Sequence, residues 1–571
     1  MSHPEHRFRP RSTRPGLGRK TMNAIRPLAL VVLTQICAAV PGPAAETEPA
    51  APRSAPIEMK DGWFYLDGQK FFINALGYEI GARPGQHPYE SRGNEPQRVK
   101  QDMAVIKAAG FNAIRTWSEL SEEELQMVQD SGLKVVFGIG IQPDQDFAAP
   151  EVVARSLAIV SDVLAYSREF DCVIAYLIMN EPMPQHIQKV GAQATVDLWT
   201  QIRDLIHREH PGIPVTITGN SAITEFVDMN LFDVYAYNAY DYDGFNYTHG
   251  YANAARILPE LNGQGKPLLL TEFGLSVSGE GSGRYGGNTL AAQMEMVPWY
   301  YRQLLDAGAA GACPFYYADG WWKGGDPGVH DDTPEEWFGY WGYRDADDTV
   351  GYPRPVWHAL KRYNKALVAS PRNQTFYRNE IPLEMFLQPD VHSVRVVYQD
   401  RVVYSREGVS GGHLADVLSF PGEGLTDREL IFEFYDSRQE LLKLESIIVL
   451  TGDEDIEWPS ISISTAMRDL DEGPEIAVEL RLVNGDVFTL AGDARYLLST
   501  HIGWEKGERR RWEIDPTKPD QSLEDRYVVP EESPLLGLYA GADISYGKFV
   551  KTIHDQQLIY RGDWADPIRL H

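Results

Sequence analysis

Cysteine is nearly absent: the 571 residues hold only Cys37, Cys172 and Cys313. A disulfide framework is therefore excluded, and the fold has to rest on a hydrophobic core, for which a 43% apolar composition is ample. Positive charge is also scarce, with 53 Lys and Arg against 81 Asp and Glu and a formal net charge of −28. Nucleic acid and anionic membrane surfaces would be repelled, so a neutral or cationic partner is indicated. Long apolar runs are missing too. The longest near the N-terminus, Leu28–Val40, falls short of the roughly 20 residues that span a bilayer.

That run follows a basic segment holding Arg7, Arg9, Arg11, Arg14, Arg19, Lys20 and Arg26, and small residues and prolines come after it. The pattern predicts a cleaved signal peptide over 1–45 and an exported chain, periplasmic or extracellular, without stable membrane insertion once mature. Residues 46–56 are Pro/Ala-rich and read as a linker. Once the leader is removed only Cys172 and Cys313 remain. In the strand order below they fall on opposite sides of a barrel, too far apart to bridge.

From Phe72 to about Val368 short apolar runs alternate with helical patterns. The predicted strands are Phe72–Leu76, Asn112–Trp117, Lys134–Ile139, Val173–Asn180, Pro214–Gly219, Asp233–Asn238, Leu268–Glu272 and Ala312–Tyr317. Helical stretches such as Gln97–Ala109 and Thr289–Ala307 are closed by Gly110 and Gly308, as helix stops usually are. Eight strands with helical connections predict an α/β fold, a (β/α)8 barrel over 57–370. An open doubly wound sheet would want a Gly-x-Gly-x-x-Gly turn after its first strand, and Gly77–Tyr78–Glu79–Ile80–Gly81 lacks that spacing. Beyond the barrel the period changes to two, as in Ser393–Tyr398, Glu429–Tyr435 and Ile476–Leu482. All-β, β-sandwich domains are expected over 371–455 and 456–571.

In a barrel the carboxyl ends of the strands converge on one mouth. Val173–Pro182, VIAYLIMNEP, is an apolar strand ending in Asn180–Glu181–Pro182, and Pro267–Gly274, PLLLTEFG, repeats the pattern at Glu272. The other strand ends add Tyr78, Arg115, Trp117, Asn220, Asn238, Tyr240, Trp321 and Trp322. A carboxylate pair among amides and aromatic faces suits a neutral polyhydroxylated ligand, a carbohydrate. It also suits glycoside hydrolysis, where one carboxylic acid protonates the leaving oxygen and a second carboxylate about 5–5.5 Å away attacks with retention. Strands four and seven, taken to face one another across the barrel, bring that distance within reach. No cofactor or metal is called for, and the spacing of Asp319, His330, Asp331 and Asp332 fits no cation loop. The Gly-rich stretch Gly279–Gly287 lacks the Lys–Ser/Thr of a phosphate loop and reads as a lid over the cleft.

These residues carry a resemblance. Asn180–Glu181–Pro182, Thr271–Glu272–Phe273–Gly274, Gly110–Trp117 (GFNAIRTW) and the segment Trp337–Lys361 look like the clan of retaining β-glycosidases with (β/α)8 barrels, which includes β-galactosidase, β-glucuronidase, cellulase and β-mannanase families. The resemblance implies Glu181 as general acid/base and Glu272 as nucleophile. It further implies Asn180 on the sugar 2-hydroxyl, Arg115 holding Glu272 ionised, Tyr240 bonding Glu272, and Trp321 or Trp322 flooring the subsite. The chain departs from the cellulase-like members at Gly140–Ile141–Gln142 and Asn238–Ala239–Tyr240, where they carry histidines. It departs from the β-galactosidase-like members in placing its β-domains after the barrel. The expectation is a secreted enzyme cutting a β-linked glucan, mannan or related polysaccharide. Its rivals are a transglycosylase using the same glutamates and a non-catalytic polysaccharide-binding protein.

Overall fold

The computed structural model describes residues 57–88, 95–182, 184–219, 229–240, 265–422, 424–470, 473–485, 487–490, 494–499, 508–515, 517–528 and 535–560. The expected leader and linker, and the site residue Asn220, lie outside the described residues.

A small antiparallel meander comes first, formed by β1 (Glu58–Lys60), β2 (Trp63–Leu66) and β3 (Gln69–Phe71). Asp67 and Gly68 sit at its second turn with φ of 52° and 74°, the left-handed conformation a tight hairpin requires. The parallel strands follow: β4 (Ile73–Gly77), β5 (Ala113–Arg115), β6 (Lys134–Gly138), β7 (Val173–Asn180), β8 (Val215–Thr218), β9 (Tyr235–Asn238), β10 (Leu268–Phe273) and β11 (Gly311–Pro314). They pair in the order β8-β7-β6-β5-β4-β11-β10-β9, and a parallel bridge from Gly219 to Tyr237 joins the two ends into a closed barrel. The eight-stranded α/β barrel expected from the sequence is the fold of this segment.

Two details differ from expectation. The last strand stops at Pro314 rather than Tyr317, so Phe315 and Tyr316 stand at the mouth and Tyr317 turns back to bond Asp102. And β7 and β10 do not face one another: β8 and β9 lie between them on the ring. Cys172, just before β7, and Cys313, on β11, are buried free thiols at opposite points of the ring.

The helices end where their local chemistry says they should. The helices α1 (Pro96–Ala108), α2 (Glu122–Ser131), α3 (Pro150–Ser167), α4 (Pro184–Val190) and α5 (Ala192–Glu209) precede α6 (Leu290–Ala307) and α7 (Pro355–Tyr363). A reciprocal capping box between Ser121 and Glu124 opens α2, and Thr289 caps α6 by accepting from the Ala292 amide. Gly132 and Gly308, both left-handed, close α2 and α6. Strand β7 is buried along all but its last residue, the pattern of a strand covered on both faces. Among the described residues no helix is long and apolar enough to cross a membrane.

Strand Ala366–Ser370, which follows directly on α7, already belongs to a β-sandwich. It pairs with Glu380–Leu387, whose burial alternates residue by residue and whose other edge pairs with Gly412–Ser419. The facing sheet has five strands, and Ile381, Leu383, Val394, Phe432 and Val449 fill the space between. A further pair of antiparallel sheets over 460–560 has its own core around Val478, Leu480, Ala540 and Ile544. The first sandwich is tied to the barrel by a buried ionic knot. Arg302 on α6 lies 3.4 Å from Glu445 and donates to the Val368 carbonyl at 2.8 Å, while Lys443 sits 2.9 Å from Glu445 and Tyr363 donates to it at 3.2 Å. Removing the shared anion takes the carboxylate from buried Lys443, which is left with the Ala366 carbonyl at 2.5 Å, while Arg302 keeps Asp306 at 2.7 Å. Glu445→Ala is expected to lower stability by about 3–5 kcal/mol, read from denaturant unfolding; a loss under about 1 kcal/mol would show that the knot does not hold the two domains together.

Candidate active site

At the mouth the strand ends deliver their side chains to one place. Arg115 ends β5 and is fully buried. One of its terminal nitrogens lies 3.0 Å from Oε1 of Glu272 and the other donates to Oδ1 of Asn180 at 2.5 Å. Its guanidinium also sits 3.8 Å from the centroid of the Trp117 ring. Trp117 in turn donates its indole N–H to Oε1 of Glu272 at 2.7 Å, and the Tyr240 hydroxyl donates to Oε2 at 2.8 Å. Two hydrogen-bond donors and a paired cation thus converge on the two oxygens of Glu272. This is an environment built for negative charge.

Trp117 can come this close because residue 77 is glycine. A Cβ there would stand 2.7 Å from the Trp117 ring and 3.0 Å from the Tyr316 Cβ. Behind these groups Tyr240, Phe315, Tyr316 and Phe338 form an aromatic cluster separate from the main core, with Trp117 packed against it. It walls the Glu272 side of the cleft with low-dielectric surface.

Glu181 stands in a different environment. It follows β7 with φ of 46°, a left-handed conformation uncommon for a non-glycine residue, held by its amide donating to the Thr218 carbonyl at 2.8 Å. Its Oε1 accepts one hydrogen bond, from Nδ2 of Asn238 at 2.8 Å. Burial, and then the negative charge of Glu272, push its carboxyl up to about 7; the Asn238 donor and Arg115 oppose the rise. The two glutamates therefore share a mouth but not an environment. One is surrounded by donors, and the other keeps its proton to near neutrality.

The remaining expected site residues divide. Asn180 accepts from Arg115 and so turns its NH2 away from the arginine. Asn238 serves Glu181 rather than a substrate: its Nδ2 faces that carboxylate and its Oδ1 accepts from Thr271 at 2.9 Å. Tyr78 is drawn into the barrel wall, donating to Asp102 at 2.9 Å, and Asp102 also pairs with Arg83 and accepts from Tyr317 at 2.8 Å. Trp321 is 4% exposed and belongs to the main core, stacked 4.6 Å from His330, whose other face stacks on Trp337. Trp322 is half-buried, donates to Glu79 at 3.1 Å and meets the edge of His87. Asp319 is bound to Arg354 at 2.5 Å and Asp331 accepts from the Thr333 amide at 2.7 Å, so these acids serve the loop that carries them.

Sequence reasoning missed Glu335, whose charge reaches the pair, and two charged residues grouped with it. Glu335, on the short helical turn Pro334–Trp337, stands close enough for its charge to act on Glu181, and burial first, with Glu272 and Glu79 adding to it against Lys323, raises the Glu335 carboxyl. Lys323 lies 4.0 Å from Glu335 and over the rings of Phe315, Tyr316 and Trp322. Glu79 is the third. Only Glu79 sits where a strand-end rule could have found it; the others arrive on the long segment after β11.

No family model and no curated protein matches the chain. Among solved structures it is similar to a β-glucuronidase from Parabacteroides merdae, at 14% identity and a TM-score of 0.44, over 88% of this chain and 64% of that one. It is similar to β-glucuronidase 3 from Bacteroides uniformis at 16% identity and a TM-score of 0.43, over 89% of this chain and 64% of that one. A GH2 β-galacturonidase from Eisenbergiella tayi bound to galacturonate aligns at 17% identity and a TM-score of 0.42, over 54% of this chain and 53% of that one. The chain thus spans less than two thirds of the length of each of these proteins, and likeness of this degree does not decide activity or substrate.

The unusual protonation of Glu181 is measurable without a substrate. Its folded-state pKa lies above the ordinary carboxylate range, so between about pH 4.5 and about pH 7 the native state binds more protons than the unfolded chain. This group's contribution to stability is therefore full at low pH and is lost as pH rises through that window. A 13C-glutamate spectrum should show a carboxyl titrating near pH 7 that disappears in Glu181→Gln. Asn238→Ala, which removes the donor favouring the ionised form, should move that titration higher by roughly one pH unit. A titration in the ordinary carboxylate range would contradict the site's electrostatics.

Proposed function

We propose that the chain is an exported retaining β-glycoside hydrolase acting on a neutral β-linked polysaccharide, of the glucan or mannan kind. One observation carries the reading: two glutamates at the carboxyl ends of β7 and β10 share a mouth yet stand in opposite environments. Two hydrogen-bond donors and the Arg115 cation converge on Glu272, while burial and the charge of Glu272 push the Glu181 carboxyl up to about 7. That division is what double displacement requires. Glu272 attacks the anomeric carbon as Glu181 passes its proton to the leaving oxygen. The resulting glycosyl ester on Glu272 is then cleaved by water, with Glu181 now accepting the proton. In this reading Asn180, whose Oδ1 is taken by Arg115, bonds a ring hydroxyl through its NH2. Export is proposed on the basic and then apolar segment of residues 1–45 alone.

Charge supports a neutral sugar. Among the described residues, Arg115 already faces Glu272 and Lys323 lies 4.0 Å from Glu335. A uronic acid entering the mouth would meet Glu79, Glu272 and Glu335 with those two cations engaged, and like-charge juxtaposition of this kind costs several kcal/mol.

Two sets of variants test the reading. With a 4-nitrophenyl β-glycoside, Glu272→Ala should lose roughly 10⁴-fold or more in turnover. Glu181→Ala should keep slow turnover of this activated leaving group and be accelerated by azide, a small anion able to replace the base in the second step. Full activity in Glu272→Ala sinks the assignment, and products longer than the starting oligosaccharide would mark a transglycosylase instead. For charge selection, the wild type should favour neutral β-glycosides over β-glucuronide by roughly 100-fold or more in kcat/KM, and Glu335→Gln should narrow that ratio. Equal rates on both would remove the case for a neutral substrate.

A further inference from the structure

Inside the barrel, directly beneath the mouth, three polar side chains from three strands are linked in a row. Thr218 on β8 donates to the Thr271 hydroxyl on β10 at 3.2 Å, Thr271 donates to Oδ1 of Asn238 on β9 at 2.9 Å, and Asn238 donates from Nδ2 to Glu181 at 2.8 Å. Both threonines are fully buried and Asn238 is 1% exposed. Valine would fill either threonine site with nearly the same shape, so a buried hydroxyl calls for a polar reason.

The amide supplies it. A side-chain amide has a donor end and an acceptor end of nearly equal size, and packing alone barely distinguishes them. Burial at the foot of Glu181 does not say which end faces the carboxylate. A hydroxyl does, when it presents a proton to one end. We infer that Thr271, backed by Thr218, is a positioning residue for the acid/base: its hydroxyl locks the Asn238 amide so that N–H, not C=O, faces Glu181. With the lock absent, the amide has lost its Oδ1 partner and only its bond to Glu181 holds that orientation, a bond that weakens whenever Glu181 is protonated. Turned over, it presents a carbonyl to a carboxylate, which favours the protonated acid and opposes the base form needed when water attacks the glycosyl-enzyme. The charged groups acting on Glu181 from neighbouring elements are Glu272 on β10, Arg115 on β5 and Glu335 on the turn Pro334–Trp337. Thr271→Val alters none of them.

The inference rests on the acid/base role proposed for Glu181, and the experiment separates the two. Thr271→Val and Thr218→Val are compared with Asn238→Ala, using a 4-nitrophenyl β-glycoside whose second step limits turnover. Thr271→Val should move the alkaline limb of kcat/KM upward by roughly half to one pH unit and lower kcat by about 5–30-fold, as expected for one lost hydrogen bond to a charged group. Thr218→Val should act in the same direction more weakly, and Thr271→Ser should restore both quantities to within about twofold. The pair Thr271→Val with Asn238→Ala should be no worse than Asn238→Ala alone, because the two act through one contact. A wild-type pH limb in Thr271→Val, or additive losses in the double variant, overturns the inference. If the wild type turns over no glycoside, the functional reading fails first. The 13C titration of Glu181 in Thr271→Val then decides the lock on its own, an unmoved titration rejecting it and a raised one supporting it.

Discussion

The arrangement depends on one buried cation. Arg115, fully enclosed at the end of β5, touches Glu272, Asn180 and the face of Trp117 together. A guanidinium deprived of water is tolerable only with anionic or strongly polar partners, and its planar fork fixes where they stand. Glu272 is one partner and Asn180 the other. The residue after Asn180 is Glu181, so the cation that anchors one glutamate also sets the backbone from which the second projects.

From that anchor the environments of the two carboxyls diverge. A cation on β5 and donors from the loop after it and from the segment after β9 surround Glu272, while Glu181 meets a single amide and the field of its partner. Burial raises the free energy of any charge, and what separates the pair is how many donors offset it. The aromatic wall of Tyr240, Phe315, Tyr316 and Phe338 keeps the local dielectric low, so these differences are felt strongly. The left-handed backbone at Glu181 belongs to the same design: an uncommon conformation is retained where it aims a side chain.

The β-sandwich that follows the barrel is joined to it by the knot at Glu445, on the α6 and α7 side of the barrel wall. The mouth is reached instead by the segment after β11, which returns with Lys323 and Glu335 and is held by the Asp319–Arg354 pair and the stack of Trp321, His330 and Trp337. Packing at a distance and charge at the rim are thus handled by different parts of the chain.

Much of this was legible in one dimension. The period of the apolar runs determined a parallel barrel, because strands buried on both faces must read as continuous apolar segments, and Val173–Asn180 does. The two Glu-terminated runs determined that both carboxyls would stand at strand ends. Tertiary structure decided the rest. Tyr78 and Trp321 sit at strand ends or just beyond and read as site residues, yet Asp102, on the helix that follows, and His330, further along the same loop as Trp321, draw them into the wall. Asn238 reads as a ligand for sugar and is instead a donor to Glu181, because Thr271 takes its other end. Glu335 and Lys323 carry no strand-end signature at all. Periodicity records which face of an element is buried, a local property, and so survives in sequence. Which polar group meets which depends on ring order and on where each strand stops, and those are fixed only when the barrel closes.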